Sequence, residues 1–316
     1  MNKHKDITLI TKVLDQAVVK ARLNQDGAVA DYIPELRNVD VNLLSASIIL
    51  TDGTCLASGE QLDYRFTLQS VSKLVLLIGM MEEYGAERVF SWINAEPSGL
   101  PFAAIGDLDR FGPVPSNPLI NAGAICLSGR IPGDTPAQLA WVKKWVTKLF
   151  ADELEFSHEV YNSEFGSADR NRSLAYLMKS NCVLVGDVEE VLKPYFSLCS
   201  YTANIKQAAY LPMLLANGGL AADGTRVISE ETSNQVVAIM ATCGLYNESG
   251  LHLAVTGLPA KSGISGLIVA VGTGRGGIAA FSPRVNKKGT SLRGHIVISE
   301  IARELNWHFA APRDCN

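Results

Sequence analysis

Strand signals stand at the two ends of this 316-residue chain and helix signals fill its middle. Ser45-Ala-Ser-Ile-Ile-Leu50 reads as a strand, and Cys55-Leu-Ala-Ser58 reads as its antiparallel return. The Asp52-Gly53 step between them suits the positive φ of a hairpin loop. Near the other end, Leu267–Val271 and Gly277–Phe281 flank a glycine-rich turn over 272–276. Helical periodicity covers 136–151 after a Thr-Pro start, and further helices are read over 171–185, 187–198, 203–216 and 229–243. The last of these opens with the N-cap chemistry of Ser229. Apolar residues also crowd into a helix from Ser70 to Tyr84, with Gly85 as its C-cap. Two more helices are read at the ends, one with Ile7, Leu9, Ile10, Val13, Leu14 and Val18 on one face, the other over about 294–305. Residues 27–34 read as an extended loop, because Pro34 disfavours helix at Ile33. The simplest packing is an α+β fold: a central antiparallel sheet built from both chain ends, flanked by helices, with an inserted, mostly helical subdomain. The sequence has no internal repeat and no long linker. It is therefore expected to be one domain over 1–316, its sheet-containing part from about 1–70 and 250–316 and its helical part from about 71–249.

Composition removes several function classes. Apolar residues make up 47 % and charged residues 19 %, which excludes disorder. The 28 Lys and Arg against 32 Asp and Glu leave a net charge of −4, without the basic excess that phosphate backbones call for, so no nucleic-acid partner is expected. The longest apolar runs, such as Leu74 to Met81, are far short of the roughly 20 residues a bilayer needs, so no membrane partner is expected either. The first 25 residues carry charge throughout and lack the apolar core of a secretory signal. Six cysteines, at 55, 126, 182, 199, 243 and 315, form no CxxC pair and have no histidine at zinc spacing. They are expected to be reduced thiols of a cytoplasmic protein, with no metal site.

Gly272-Thr-Gly274-Arg-Gly-Gly277 matches the dinucleotide fingerprint and follows an apolar strand. That fold needs a helix directly after the glycines. Here Ile-Ala-Ala-Phe-Ser-Pro283 follows, which is strand-like and short, so a hairpin turn is expected instead.

Ser70-Val-Ser-Lys73 is the sharpest local pattern. A Ser and a Lys three apart on a helix share a side. In the first turn, unpaired amides and the positive dipole end lie near the serine hydroxyl. A desolvated lysine loses its proton more readily and can then accept the serine proton. Chance alone yields about one S-x-x-K in a chain of this composition, and this is the only one present. A second pattern, Lys261-Ser262-Gly263, stands just before a strand. In S-x-x-K acyl-transfer enzymes a K-[ST]-G triplet lines the cleft opposite the serine, where its lysine adds positive potential. On its own it could equally be an ordinary turn. The order of the two motifs resembles the serine β-lactamase and transpeptidase fold. His4, His158, His252, His295 and His308 are scattered, and no G-x-S-x-G accompanies them, so a Ser-His-Asp triad is not supported.

Longer blocks carry a closer resemblance. Val29-Ala-Asp-Tyr-Ile-Pro-Glu-Leu36, Gln69-Ser-Val-Ser-Lys73, Asn117-Pro-Leu-Ile-Asn-Ala-Gly-Ala-Ile125, Ser163-Glu164 with Arg170-Asn171, Tyr195-Phe-Ser-Leu-Cys-Ser200, Cys243-Gly-Leu-Tyr246 and Pro259-Ala-Lys-Ser-Gly263 occur in one order. In this the chain resembles the serine-dependent bacterial glutaminases. The resemblance implies hydrolysis of L-glutamine to L-glutamate and ammonia without a metal or organic cofactor. It implies Ser70 as nucleophile, Lys73 as general base, and Tyr246, with Tyr32, in proton relay. The backbone amides of Ser70 and Ile264 would form the oxyanion hole. Ile264 stands where the family usually has Val, which leaves an amide donor unaffected. Glu164 would meet the substrate ammonium, and Asn121, Asn171 and Tyr195 its carboxylate. A homodimer or homotetramer is implied as well. The alternatives are a β-lactamase or D,D-peptidase, which would act outside the cytoplasm, and a non-catalytic amino-acid-binding module, which would need no activated nucleophile.

Overall fold

The computed structural model describes residues 6–311 except 102, 107 and 109–111. His4 and Cys315 lie outside the described residues. In chain order the strands are β1 (Ser45–Leu50), β2 (Cys55–Gly59), β3 (Phe66–Thr67), β4 (Glu155–Phe156), β5 (Tyr201–Ala203), β6 (Ala260–Ser262), β7 (Leu267–Gly272) and β8 (Gly276–Phe281). Five of them form one antiparallel sheet in the order β2-β1-β8-β7-β6, drawn from both ends of the chain. The Asp52-Gly53 turn closes β1 onto β2, with Gly53 at φ +88° and its N–H donating to Leu50 O at 2.9 Å. The G-x-G-x-x-G stretch is the β7–β8 hairpin turn, with Gly274 at φ +71° and Arg275 N donating to Gly272 O at 2.8 Å. No helix opens after it, so it is not a phosphate loop.

Every residue of β1, β7 and β8 is buried, and alternate side chains serve two cores. Ala46, Ile48, Ile268, Ala270, Ile278 and Ala280 pack under the terminal helices Ile7–Arg22 and Leu292–Glu304. Ile49, Leu267, Val269, Val271, Ala279 and Phe281 face the helical body, where the helix Ile205–Ala216 lies across β1, β7 and β8. Burying a Leu, Ile or Val on either face contributes about 1.5–3 kcal/mol. The sheet is therefore clamped from both sides, and its edge β6 has a fixed place.

The helical body is built around the helix Lys73–Tyr84, whose residues from Lys73 to Met81 are all buried. The expected helix from Ser70 is corrected at its start. Residues Gln69–Ser72 form a 3₁₀ turn, and the α-helix begins at Lys73. The helix expected over 171–185 runs from Asp169 to Ser180, because the chain turns at Cys182 with φ +60°. The one expected from 203 starts at Ile205, behind an Asn204–Gln207 capping box, and Ala203 belongs to β5. The helices Asn121–Ser128, His158–Gly166 and Ser249–Thr256, and the small sheet β3-β5-β4, were not anticipated. That small sheet matters for the site: Leu68 N donates to Tyr201 O at 2.8 Å, which anchors the chain just before Ser70.

Candidate active site

Gln69 sits in the left-handed region at φ +46°, and the chain then tightens into the 3₁₀ turn. The strain is held by Val71 N on Leu68 O at 3.0 Å and by Ser72 Oγ on Gln69 O at 2.7 Å. Ser70 thereby stands in the first turn, ahead of the α-helix, where amides have no intrahelical acceptor. Lys73 Nζ donates to Ser70 Oγ at 2.8 Å and to Asn121 Oδ1 at 2.8 Å, and lies 5.9 Å from the centre of the Tyr195 ring. Lys73 is 2 % exposed. Burial disfavours its ammonium form and brings its pKa down to about 8, against the opposing pull of Cys199 and Glu164.

The edge strand β6 faces this turn across a narrow gap. A β-carbon at Gly263 would meet Leu68 O at 2.8 Å, and one at Gly244 would meet Ala260 O at 1.8 Å. The absence of these side chains lets β6 approach the serine turn on one side and the Gly244–Tyr246 segment on the other. Lys261, fully buried, donates to Tyr246 Oη at 3.0 Å and to Ser262 O at 2.7 Å, with its Nζ 4.3 Å from the tyrosine ring centre. Burial, and secondarily Lys73, hold its pKa well below the usual lysine range. Tyr246 is hydrogen-bonded to Ser70 as well, and burial pushes its phenol upward. Lys261, Tyr246, Ser70 and Lys73 are thus linked in one chain of contacts.

The opposite wall carries the anion. Glu164 is 6 % exposed, and its Oε1 accepts from Tyr32 Oη at 2.6 Å. Burial raises its pKa, while Tyr32, Gln69 and Lys73 work against that rise. Tyr32 arrives on the extended segment after Gly27. The residue is 42 % exposed overall, yet desolvation and then the neighbouring Glu164, to which its hydroxyl is bonded, hold its pKa well above that of a free phenol. Asn121 Nδ2 donates to Asn171 Oδ1 at 2.9 Å.

These groups surround a cavity of about 340 Å³. Tyr32, Ser70, Asn121, Glu164, Asn171 and Tyr195 line it, as do Tyr246, Ser262 and Ile264. Lys73 and Lys261 lie beneath that lining, each in contact with one of its members. Sequence reasoning gave no role to Gln69, Arg170, Cys199, Lys288 or Gly289, which also line the cavity. Cys199 is a buried thiol with its pKa pushed up to about 12, so it stays protonated. Gln69, Arg170 and Cys199 stood inside quoted motifs and could have been found there. Lys288 and Gly289 lie outside every motif. Among the described residues no group of three or more His, Cys, Asp or Glu is placed to hold a metal ion.

An antiparallel sheet from both chain ends, a Ser-x-x-Lys turn rooting a central helix and a Lys-Ser-Gly edge strand facing it define the β-lactamase-like fold class. Residues 27–309 match the family model described as Glutaminase. The chain is 48 % identical over 305 residues to a glutaminase of Legionella pneumophila (strain Lens), covering 96 % of this chain and 98 % of the relative. It is 38 % identical over 289 residues to a glutaminase of Clostridium tetani (strain Massachusetts / E88), covering 90 % and 94 %. The solved structure of a probable glutaminase, YbaS, matches with a TM-score of 0.93 at 35 % identity, covering 97 % of this chain and all of that one. A Bacillus glutaminase structure matches with a TM-score of 0.84 at 30 % identity, covering 94 % and 98 %. The chain belongs to the glutaminase family, and it is an amidohydrolase enzyme.

Proposed function

We propose that this enzyme hydrolyses the side-chain amide of L-glutamine through a γ-glutamyl ester on Ser70. The observation that carries the reading is the 2.8 Å contact between Ser70 Oγ and a lysine almost wholly removed from water. Neutral Lys73 accepts the Ser70 proton as Oγ attacks the γ-carbonyl carbon. The backbone N–H groups of Ser70 and Ile264 receive the developing oxyanion. As the intermediate collapses, the C–N bond breaks and a proton reaches the departing nitrogen through Tyr246, whose hydroxyl contacts both Ser70 and Lys261. Ammonia leaves. Water then attacks the ester carbon, gives its proton back through the same groups, and releases glutamate and free Ser70. Lys261, Ser262 and Gly263 shape this side of the cleft.

The same cavity suits the two charged ends of a free amino acid. Glu164 faces the ammonium, with Tyr32 Oη donating to its Oε1. Asn121 spends one amide hydrogen on Asn171 and keeps the other for the carboxylate, beside Asn171 and Tyr195. A solved relative described as the glutamate form of Mglu, 28 % identical with a TM-score of 0.90, supports product binding in this fold. The family match weighs against a β-lactamase or D,D-peptidase, and a pure binding module would not need the Ser70–Lys73 pair.

The test is intact-mass and peptide mass spectrometry after exposure to an electrophilic glutamine analogue, beside ammonia release by Ser70→Ala. A single adduct on Ser70 and a loss of about 10³-fold or more in kcat are expected. An adduct on another side chain, or wild-type release by the variant, would overturn the assignment. We further propose one catalytic domain over 1–316 acting in the cytoplasm as a homodimer or homotetramer. The family resemblance supports the assembly, which light scattering on the purified chain would check. No described helix is long and apolar enough to cross a membrane.

A further inference from the structure

The 3₁₀ turn Tyr246–Glu248 carries more than its tyrosine. The Glu248 side chain is a quarter exposed, and its carboxylate reaches across to residues 286–290. Oε1 accepts from Asn286 Nδ2 at 3.0 Å, Oε2 accepts from Thr290 Oγ1 at 2.7 Å, and Lys288 Nζ lies 3.9 Å from Oε1. That far segment is itself a tight turn, in which Asn286 Oδ1 accepts the amides of Lys288 at 2.8 Å and Thr290 at 3.1 Å. Its tip, Lys288 and Gly289, lines the same cavity as Ser70 and Tyr246. One carboxylate therefore joins two pieces of the cavity wall that lie some 40 positions apart in the chain.

The tyrosine needs such a tie. Tyr246 has φ +57°, a left-handed conformation that strains a residue with a β-carbon and persists only where the surroundings over-determine it. Ser249 Oγ supplies one anchor, accepting from Leu245 N at 2.9 Å and donating to Tyr246 O at 3.0 Å. Lys261 supplies a second, at the hydroxyl. Glu248 supplies a third, at the far end of the turn.

We propose that Glu248 is a positioning residue for the reaction: by clamping the 286–290 turn to the 246–248 turn it keeps Tyr246 Oη and the Lys288–Gly289 wall in mutual register. Its hydrogen bonds carry the effect, and its charge does not. The inference rests on the role assigned above to Tyr246. Glu248 touches no reacting atom. It acts through the tyrosine, where a displacement of about 1 Å can cost up to roughly 100-fold in rate.

The test is kcat per active site, with sites counted by the electrophilic glutamine analogue. Glu248→Ala should lower kcat about tenfold or more, with KM for glutamine within about threefold and the titratable fraction unchanged. Glu248→Gln keeps an acceptor for Asn286 and a donor for Thr290, and should stay within about twofold of the parent. Thr290→Val cuts the same clamp, so the double variant Glu248→Ala/Thr290→Val should be no slower than Glu248→Ala alone. A merely structural role would lower the titratable fraction and leave kcat per site intact. That result, additive losses in the double variant, or a Gln variant as slow as the Ala variant would each overturn the proposal. Tyr246→Phe is measured alongside. A fully active Tyr246→Phe shows that the reading of the tyrosine has failed, whereas a slow Tyr246→Phe with an unimpaired Glu248→Ala removes the clamp alone.

Discussion

Lys73 Nζ lies 2.8 Å from Ser70 Oγ, and the two side chains differ sharply in setting: the lysine is buried in the helical body while the serine lines the cavity. The proposed proton acceptor is thus in the dry layer, and the proposed nucleophile faces the cavity. The lysine's other contacts are the Asn121 oxygen and the face of the Tyr195 ring, both neutral. Burial lowers the lysine pKa to about 8 because little nearby repays the lost hydration.

The pH profile follows with a definite sign. Below pH 8 the lysine is mostly an ammonium that cannot accept the serine proton. kcat/KM should therefore fall about tenfold for each unit of pH below that point and level off above it. Lys73→Ala should abolish this limb along with most of kcat. A flat profile between pH 6 and 8 in the parent enzyme would remove Lys73 as the base.

Glu164→Gln should act on binding. The substrate ammonium loses a charged partner inside a low-dielectric wall, a loss of about 1.5–3 kcal/mol, or roughly 10- to 150-fold in KM, with a smaller change in kcat. The parent should show a milder version of this at acid pH, since burial has already raised the Glu164 pKa and protonation removes the same charge. Inhibition constants for glutamate, measured in parallel, should weaken in the variant. An unchanged KM would place Glu164 outside the substrate site.

Lys261→Met tests the buried contact behind Tyr246. The replacement fills similar volume but cannot donate to the phenol oxygen. kcat should drop about tenfold or more with KM nearly constant, matching Tyr246→Phe in kind. The double variant should lose less than the product of the two single losses if both cut the proposed relay. Additive losses would separate the two residues.

Much of the fold was legible, for identifiable reasons. The two hairpins announce themselves through Asp52-Gly53 and the glycines at 272–276, and the long helices through their periodicity and caps such as Ser229. The helix Asn121–Ser128 was not legible because all eight of its residues are buried, which erases any polar–apolar period. The strands β3, β4 and β5, of two or three residues, are too short to carry an alternation. In the site, the spacing of Ser70 and Lys73 is local and could be read directly. The Tyr32–Glu164 bond spans 132 positions, and only the family resemblance placed both residues in one site. The left-handed turns at Gln69 and Tyr246 left no mark, since neither residue type favours that conformation. Lys288 and Gly289 reach the cavity through a turn that ordinary surface loops also form.

Gly263→Ala bears on the proposed oxyanion site most directly. The added methyl would stand 2.8 Å from Leu68 O, an atom of the backbone that opens the serine turn and accepts from Val71 N. Backbone cannot rotate away as a flexible side chain would, so β6 must withdraw by a few tenths of an ångström and take the Ile264 amide with it. Complete loss of an oxyanion donor costs about 10²–10³ in kcat, and a partial withdrawal should cost about 10- to 100-fold, with KM little altered. Ile264→Val is the companion variant. It keeps the amide in place and trims one methylene from a side chain that packs beside Ile33, Leu36 and Val160. It should lower stability by about 0.5–1.5 kcal/mol and leave kcat near the parent value. If Gly263→Ala turns over normally while Ile264→Val is slow, the side chain rather than the amide serves the reaction, and the oxyanion assignment must be abandoned.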